Sequence, residues 1–202
     1  MCMKSFKIIT VLSALMIISA CLSQPHPVKN QYALRAEAPE ASDKTRTDRR
    51  TLMVGTVSAA AGFDNRGLVY RVGPERFEYD FYNEFMAPPA RLLADQTSQY
   101  LDLVSPRFRV VKSPGLTLAQ YGLETYLEGL YGDYTVNPPQ AVLIIRYTLN
   151  DMRGSSSRVV WDKTYQRAAI MNDKTPDALT EALGVALSDI LNELNQDIGK
   201  AR

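Results

Sequence analysis

Residues 77–104 read FEYDFYNEFMAPPARLLADQTSQYLDLV, and the repeat of the chain changes part-way through them. Phe77, Tyr79 and Phe81 alternate with Glu78 and Asp80, so three aromatics share one face of a strand and two acids the other. Tyr82, Asn83, Glu84 and Phe85 then lead to Pro88-Pro89, which suit the first turn of a helix because no intrahelical donor is needed there. Beyond them Leu92, Leu93, Tyr100, Leu101 and Val104 recur near helical spacing, a stripe expected to face a core. A strand feeding a helix is the unit from which the fold is read.

The same order returns downstream. Short strands are expected over 107–111 and longer ones over 123–134 and 141–150, with Asn137-Pro138-Pro139 turning between the last two. Leu143, Ile145, Tyr147 and Leu149 line one face of the 141–150 strand, and Val142 with Ile144 makes the other face apolar at one end, the pattern of a strand covered on both sides. Gly154-Ser155-Ser156-Ser157 is a turn. Val159, Trp161, Lys163 and Tyr165 then alternate with Arg158, Val160 and Asp162. Thr175-Pro176-Asp177 opens a final helix with an N-cap, a proline and an acid in the first turn. Leu179, Leu183, Leu187, Ile190, Leu194 and Ile198 form its single apolar stripe. Upstream, strands are expected over 32–36, 51–57 and 67–72. The whole reads as one α+β domain, a mixed and mostly antiparallel sheet of six to seven strands under two helices.

The N-terminus reads differently. Lys4 and Lys7 precede an eleven-residue, mostly apolar run at 8–18, the pattern of a secretory signal. That run is far short of the roughly twenty residues that span a bilayer. Ser19-Ala20-Cys21 follows, small residues and then a thiol, which resembles a bacterial lipoprotein signal. The plainer alternative is an ordinary signal with a chance cysteine. On the lipoprotein reading residues 1–20 are removed, 21–30 form a lipidated cysteine and tether, and 31–202 form the domain. Cys21 carries a diacylglycerol and an N-acyl chain, palmitate among the usual acids. Each buried CH2 contributes about 0.8 kcal/mol, so several chains hold where one does not. Leu22 in place of Asp implies, by the same resemblance, an outer-membrane location facing the periplasm.

Composition excludes several functions. Loss of Lys4 and Lys7 takes 23 basic residues to 21 against 22 acidic, a mature charge of −1. A near-neutral domain has no electrostatic footprint for nucleic acid. The one histidine, His26, lies in the tether, which removes Ser-His and Cys-His catalysis and the usual zinc sets from the domain. Cys2 leaves with the signal and Cys21 is blocked by lipid, so no disulfide is expected. No phosphate loop is present, and no catalytic residue, metal or cofactor is expected. Residues 37–50 mix Lys44, Arg46, Arg49 and Arg50 with Asp43 and Asp48; they read as a solvated loop, with a headgroup-facing basic patch as the alternative. Asp80 and Glu84 read as solvated carboxylates, with acid–base work as their alternative.

Tyr70-Arg71, the run Phe77-Glu78-Tyr79-Asp80-Phe81-Tyr82, Phe85, Pro88-Pro89 and Leu92-Leu93 together resemble the ABC-type transport auxiliary lipoprotein family, the PqiC-like intermembrane transport lipoproteins. The similarity runs from Tyr32 to about Ile198. It implies a non-enzymatic role beside an ABC transporter whose periplasmic component carries MCE domains, with lipids or other hydrophobic compounds as cargo. It further implies an MCE-domain protein as partner, contact with the membrane through the lipid anchor, and a ring of identical subunits. Tyr70, Arg71, Phe77, Tyr79 and Tyr82 are the candidate partner-binding residues, since Tyr and Arg anchor interfaces. The simpler reading of Phe77 and Tyr79 is core beneath the Pro88 helix, and Arg71 is expected to be exposed. Two other functions share the anchor and fold: an assembly factor for an outer-membrane secretion or export complex, and a lipid-binding module with an apolar pocket between sheet and helices.

Overall fold

The computed structural model describes residues 28–39, 49–111 and 119–201. The signal, Cys21, His26, the charges from Asp43 to Asp48 and the 112–117 turn lie outside the described residues. In chain order the elements are β1 (Asn30–Tyr32), β2 (Arg50–Ala59), β3 (Gly67–Arg71), β4 (Phe77–Phe85), α1 (Pro89–Val104), β5 (Phe108–Val110), β6 (Tyr121–Asp133), β7 (Gln140–Asp151), β8 (Arg158–Ile170) and α2 (Pro176–Lys200).

All eight described strands join one sheet, and β6 is its trunk. One edge of β6 pairs antiparallel with β7 from Tyr121↔Asp151 to Asp133↔Gln140, and β8 continues this meander. The other edge divides. β2 runs parallel to β6 from Leu52↔Tyr121 to Ala59↔Leu127, while β3 takes Gly132 and Asp133. β5 then adds to β2, and β4 and β1 add to β3. The sheet is mixed, as expected, and its two longest ladders are antiparallel. It has one or two strands more than the six to seven expected for the sheet, because the short edge strands β1 and β5, near the strands expected over 32–36 and 107–111, both join it. The strand expected over 32–36 ends at Tyr32.

Both helices lie on one face, α1 over β2 and β5, α2 over β7 and β8. Prolines open both helices. At α2 the Thr175 hydroxyl accepts the amide of Ala178 at 3.2 Å, and Asp177 and Lys200 suit the positive and negative helix ends. Arg107 closes the far end by donating to the carbonyls of Ile198, Gly199 and Ala201. The expected stripe from Leu179 to Ile198 is buried throughout, as are Leu143, Ile145, Tyr147 and Leu149 of β7 beneath it. β7 is not covered on both sides, however. Its second face is buried at Val142 and Asn150 and half-buried at Ile144 and Thr148, while Arg146 between them stands exposed.

Residues 33–39 leave β1 and cross the helices. Leu34 is buried, the Ala36 amide donates to Gln96 of α1, and the Glu37 amide donates to Ser188 of α2. The crossing is close because Gly184 has no side chain: a Cβ there would stand 2.6 Å from the Arg35 carbonyl oxygen. Gly184→Ala improves helix propensity by about 1 kcal/mol, yet overpacking of this kind costs about 1–3 kcal/mol. The variant is expected to be net destabilised in urea unfolding, and a rise in stability would show that the strap moves freely.

Candidate interaction surface

The β3–β4–β1 branch extends past the helix layer, and this decides what the aromatics of β4 do. The strand is covered only at its end, where Glu84 and Phe85 are buried. Phe77 is 37% exposed, Tyr79 56%, Phe81 61% and Tyr82 55%. The expectation that Phe77 and Tyr79 fill the core beneath α1 is therefore overturned. Such residues are ordinarily hidden, so their exposure along one strand points to contact with another molecule.

Asp80 holds this arrangement. Between the pairs Val69↔Tyr79 and Gly67↔Glu84, four residues of β4 stand opposite Leu68 alone. The Asp80 carboxylate accepts from the amides of Tyr82 and Asn83 and from the Asn83 side chain, each at 2.9 Å, and from the Tyr70 hydroxyl at 3.0 Å. Burial alone raises its pKa, but these donors outweigh burial and hold it below the ordinary aspartate value. They satisfy the backbone of the bulge and project Phe81 and Tyr82 outward, their rings edge to face at 5.2 Å. Gly67 admits the bulge, since a Cβ there would meet the Asp80 carbonyl oxygen at 2.9 Å. Tyr70 lies inward, stacked on Tyr134 at 5.1 Å, its hydroxyl pKa raised by burial and by Asp80.

The other exposed aromatics belong to the open face of the sheet. Phe77 meets Tyr131 edge to face at 5.3 Å and Phe63 at 6.3 Å, and Phe63 stacks on Tyr131 at 6.1 Å. Gly62, at φ 97°, lies under the Tyr79 hydroxyl, which would be 2.8 Å from a Cβ at that position. Arg71 shares this face by register but is half-buried, not exposed: it pairs with Asp133 at 3.3 Å. Asp133 also accepts from the Thr135 amide and hydroxyl. Further along the same face a groove of about 640 Å³ is lined by Met53, Gly55, Gly122, Tyr126 and Met152. Arg146, also in its lining, is bidentate to Asp162.

Of the five residues singled out from sequence, Phe77, Tyr79 and Tyr82 are presented to solvent, whereas Tyr70 lies inward on Asp80 and Arg71 sits half-buried beside Phe77 on the same face. Cys21 lies outside the described residues. From sequence Phe81 reads only as a third aromatic on the face of Phe77 and Tyr79, and Phe63 and Tyr131 are not singled out. Asp80-Phe81-Tyr82-Asn83 does carry a signal for the first of them, an Asx-type turn inside a strand. Glu84 is no solvated carboxylate: Lys29 at 3.0 Å and Arg66 at 2.7 Å hold it ionised, the Lys29 hydrogen bond foremost in lowering its pKa.

The family model for the ABC-type transport auxiliary lipoprotein component matches residues 32–196, nearly all of the domain. The chain belongs to that family. No curated protein matches it by sequence. Among solved structures it is similar to a DUF330-family protein from Xanthomonas campestris, at 20% identity and TM-score 0.69, covering 82% of this chain and 92% of that one. An uncharacterised protein follows at 18% and 0.67, covering 85% and 99%. The hypothetical protein CT253 from Chlamydia trachomatis is similar at 12% and 0.50, covering 76% and 97%. At these identities the likeness extends to the fold.

A carboxylate whose pKa is lowered by folding stabilises above its unfolded value and ceases to do so as pH falls through the lowered one. Asp80→Asn is therefore expected to lower the urea midpoint at pH 7. The gap from the parent should shrink as pH drops below the ordinary aspartate value of 3.8. A gap independent of pH would mean that the bulge does not need the charge.

Proposed function

We propose that this protein is a non-enzymatic auxiliary component of an ABC transport system, anchored through acylated Cys21 to the periplasmic face of the outer membrane. There it docks an MCE-domain protein that carries lipids or other hydrophobic compounds across the envelope. The observation that carries the docking role is the pair Phe77 and Tyr79, held exposed on the open face and backed by Phe63 and Tyr131. Rigid aromatics of this kind anchor interfaces because they offer a large apolar area and lose little side-chain entropy on binding.

The charged groups support a role in contact rather than chemistry. Every described carboxylate with a displaced pKa is displaced downward. Asp151 is held low by Arg153, Asp162 by Arg146, Glu193 by Lys163, and Asp197 by Lys163 and Tyr165 against the opposing effect of burial. A general acid needs the opposite displacement. The lipid-binding module is disfavoured by the interior, where Leu101, Leu123, Leu143 and Leu183 are fully buried and fill the layer between sheet and helices that its pocket would need.

The test is a tagged pull-down from gently solubilised envelopes, with partners identified by mass spectrometry. Recovery of an MCE-domain protein is expected. Phe77→Ser with Tyr79→Ser should cut that recovery tenfold or more, the effect of losing about 1.4 kcal/mol or more of interface energy. Recovery of a β-barrel or secretin in its place would assign the chain to an assembly machine. Cys21→Ser is expected to leave a folded, unanchored precursor that does not restore transport, and full complementation would overturn the anchor.

A further inference from the structure

A second aromatic patch has no place in that docking face. Phe81 and Tyr82 project from the β4 bulge at the sheet edge on which β1 lies, and β1 is where the chain arrives from Cys21. β1 runs parallel to β4 with Asn30 opposite Asn83, so the preceding residues, Lys29 and Val28, come level with Tyr82 and Phe81. The Lys29 ammonium lies 5.0 Å from the Phe81 ring centroid, and Val28 is 86% exposed. Lys29 and Arg66 pair with the Glu84 carboxylate, and with the Asp80 carboxylate the charges behind the aromatics balance.

We infer that Val28, Lys29, Phe81 and Tyr82 form a membrane-contact patch that seats the domain edge-on against the headgroup–acyl boundary of the bilayer. The inference rests on the lipid anchor at Cys21. Val28 is seven positions after Cys21, and seven residues span at most about 25 Å, so this edge cannot stand far from the acyl chains. Aromatic rings with a polar or cationic neighbour favour that boundary, where one side is apolar and the other wet. Several acyl chains already hold the protein to the membrane, so the patch serves orientation rather than affinity. With the β1 edge seated, the sheet stands upright and its open face, with Phe77 and Tyr79, points along the membrane and remains clear of it.

Depth-dependent quenching tests this. Tryptophan is placed by Phe81→Trp in a Trp161→Phe background, Trp161 being the one native tryptophan. The lipidated full-length mature protein is reconstituted on phosphatidylethanolamine–phosphatidylglycerol vesicles containing brominated acyl chains. Val159→Trp in the same background is the comparison, since Val159 is 58% exposed on β8 at the opposite edge of the sheet. Several-fold stronger quenching at position 81 than at 159 is expected. Equal, weak quenching at both positions in protein that floats with the vesicles would overturn the contact while leaving the anchor intact. Protein that fails to float would remove the anchor, and the contact with it. Emission at position 81 that shifts only when solubilised envelope proteins are added would assign the patch to a protein partner and overturn the membrane reading.

Discussion

The backbone of β6 is enclosed along most of its length, so both of its edges must find hydrogen-bond partners. β7 is long enough to fill one edge alone. β2 is not long enough to fill the other: its pairing with β6 ends at Ala59↔Leu127, and the Ala60 amide makes the last bond, to the Leu127 carbonyl at 2.8 Å. The far end of that edge, Gly132 and Asp133, is taken by Tyr70 and Arg71 of β3. A trunk strand with one divided edge creates two branches. The helices cover the β2–β5 branch and the meander, and the β3–β4–β1 branch is carried past them. The exposure of the aromatics follows from this division more than from any property of β4 itself.

With both helices on one side, the two sheet faces meet different demands. The helix side is an apolar layer with polar closures at its margin. Lys163 lies 2.7 Å from both Glu193 and Asp197, Tyr165 donates to Asp197 at 2.9 Å, and Arg167 reaches Glu193, so β8 is tied to the last turns of α2. The open side has no layer to hide under. One end is kept wettable by the pairing of Arg146 and Thr148 with Asp162 and of Asn150 with Glu124. The other end carries the Phe63–Phe77–Tyr131 cluster, with Tyr79 beside it. A face that is polar at one end and aromatic at the other has a direction, and a partner bound there is oriented by it.

The elements that pack against the core were legible because packing imposes a period. The α2 stripe, the alternation in β7 and the strand-to-helix change at Pro88-Pro89 all lie where the sequence places them. The branch was not legible, for three reasons. A strand of three residues such as β1 shows no period, so the strand expected over 32–36 meets it only at Tyr32. A period of two gives the two faces of a strand but not which is covered, so Phe77 and Tyr79 read equally as core. Bulges hide in the alternation: Asp80 reads as a solvent-facing acid and acts as the acceptor that closes the turn. Arg71 and Glu84 likewise read as surface charges and prove to be half-buried or buried and paired, because their partners, Asp133, Lys29 and Arg66, lie 18 to 62 residues away in sequence.

For a tethered protein, rigidity at the binding face has a particular value. The proposed attachment through Cys21 would confine the domain to a thin layer above the membrane, where its concentration relative to any partner reaching that layer is high without new contacts. What remains to be met is the cost of ordering the interface, and preorganised side chains reduce it. The aromatics of β4 are set on a hydrogen-bonded strand and fixed by a carboxylate that is itself held by four donors, so little conformational freedom is left for binding to remove. The same four donors make the face sensitive to one residue. Loss of Asp80 would leave Tyr70, Tyr82 and Asn83 without their shared acceptor and loosen the bulge beside both aromatic patches. The contact energy of Phe77, Tyr79, Phe81 and Tyr82 is thus available to other molecules because the branch satisfies its own hydrogen bonds without them.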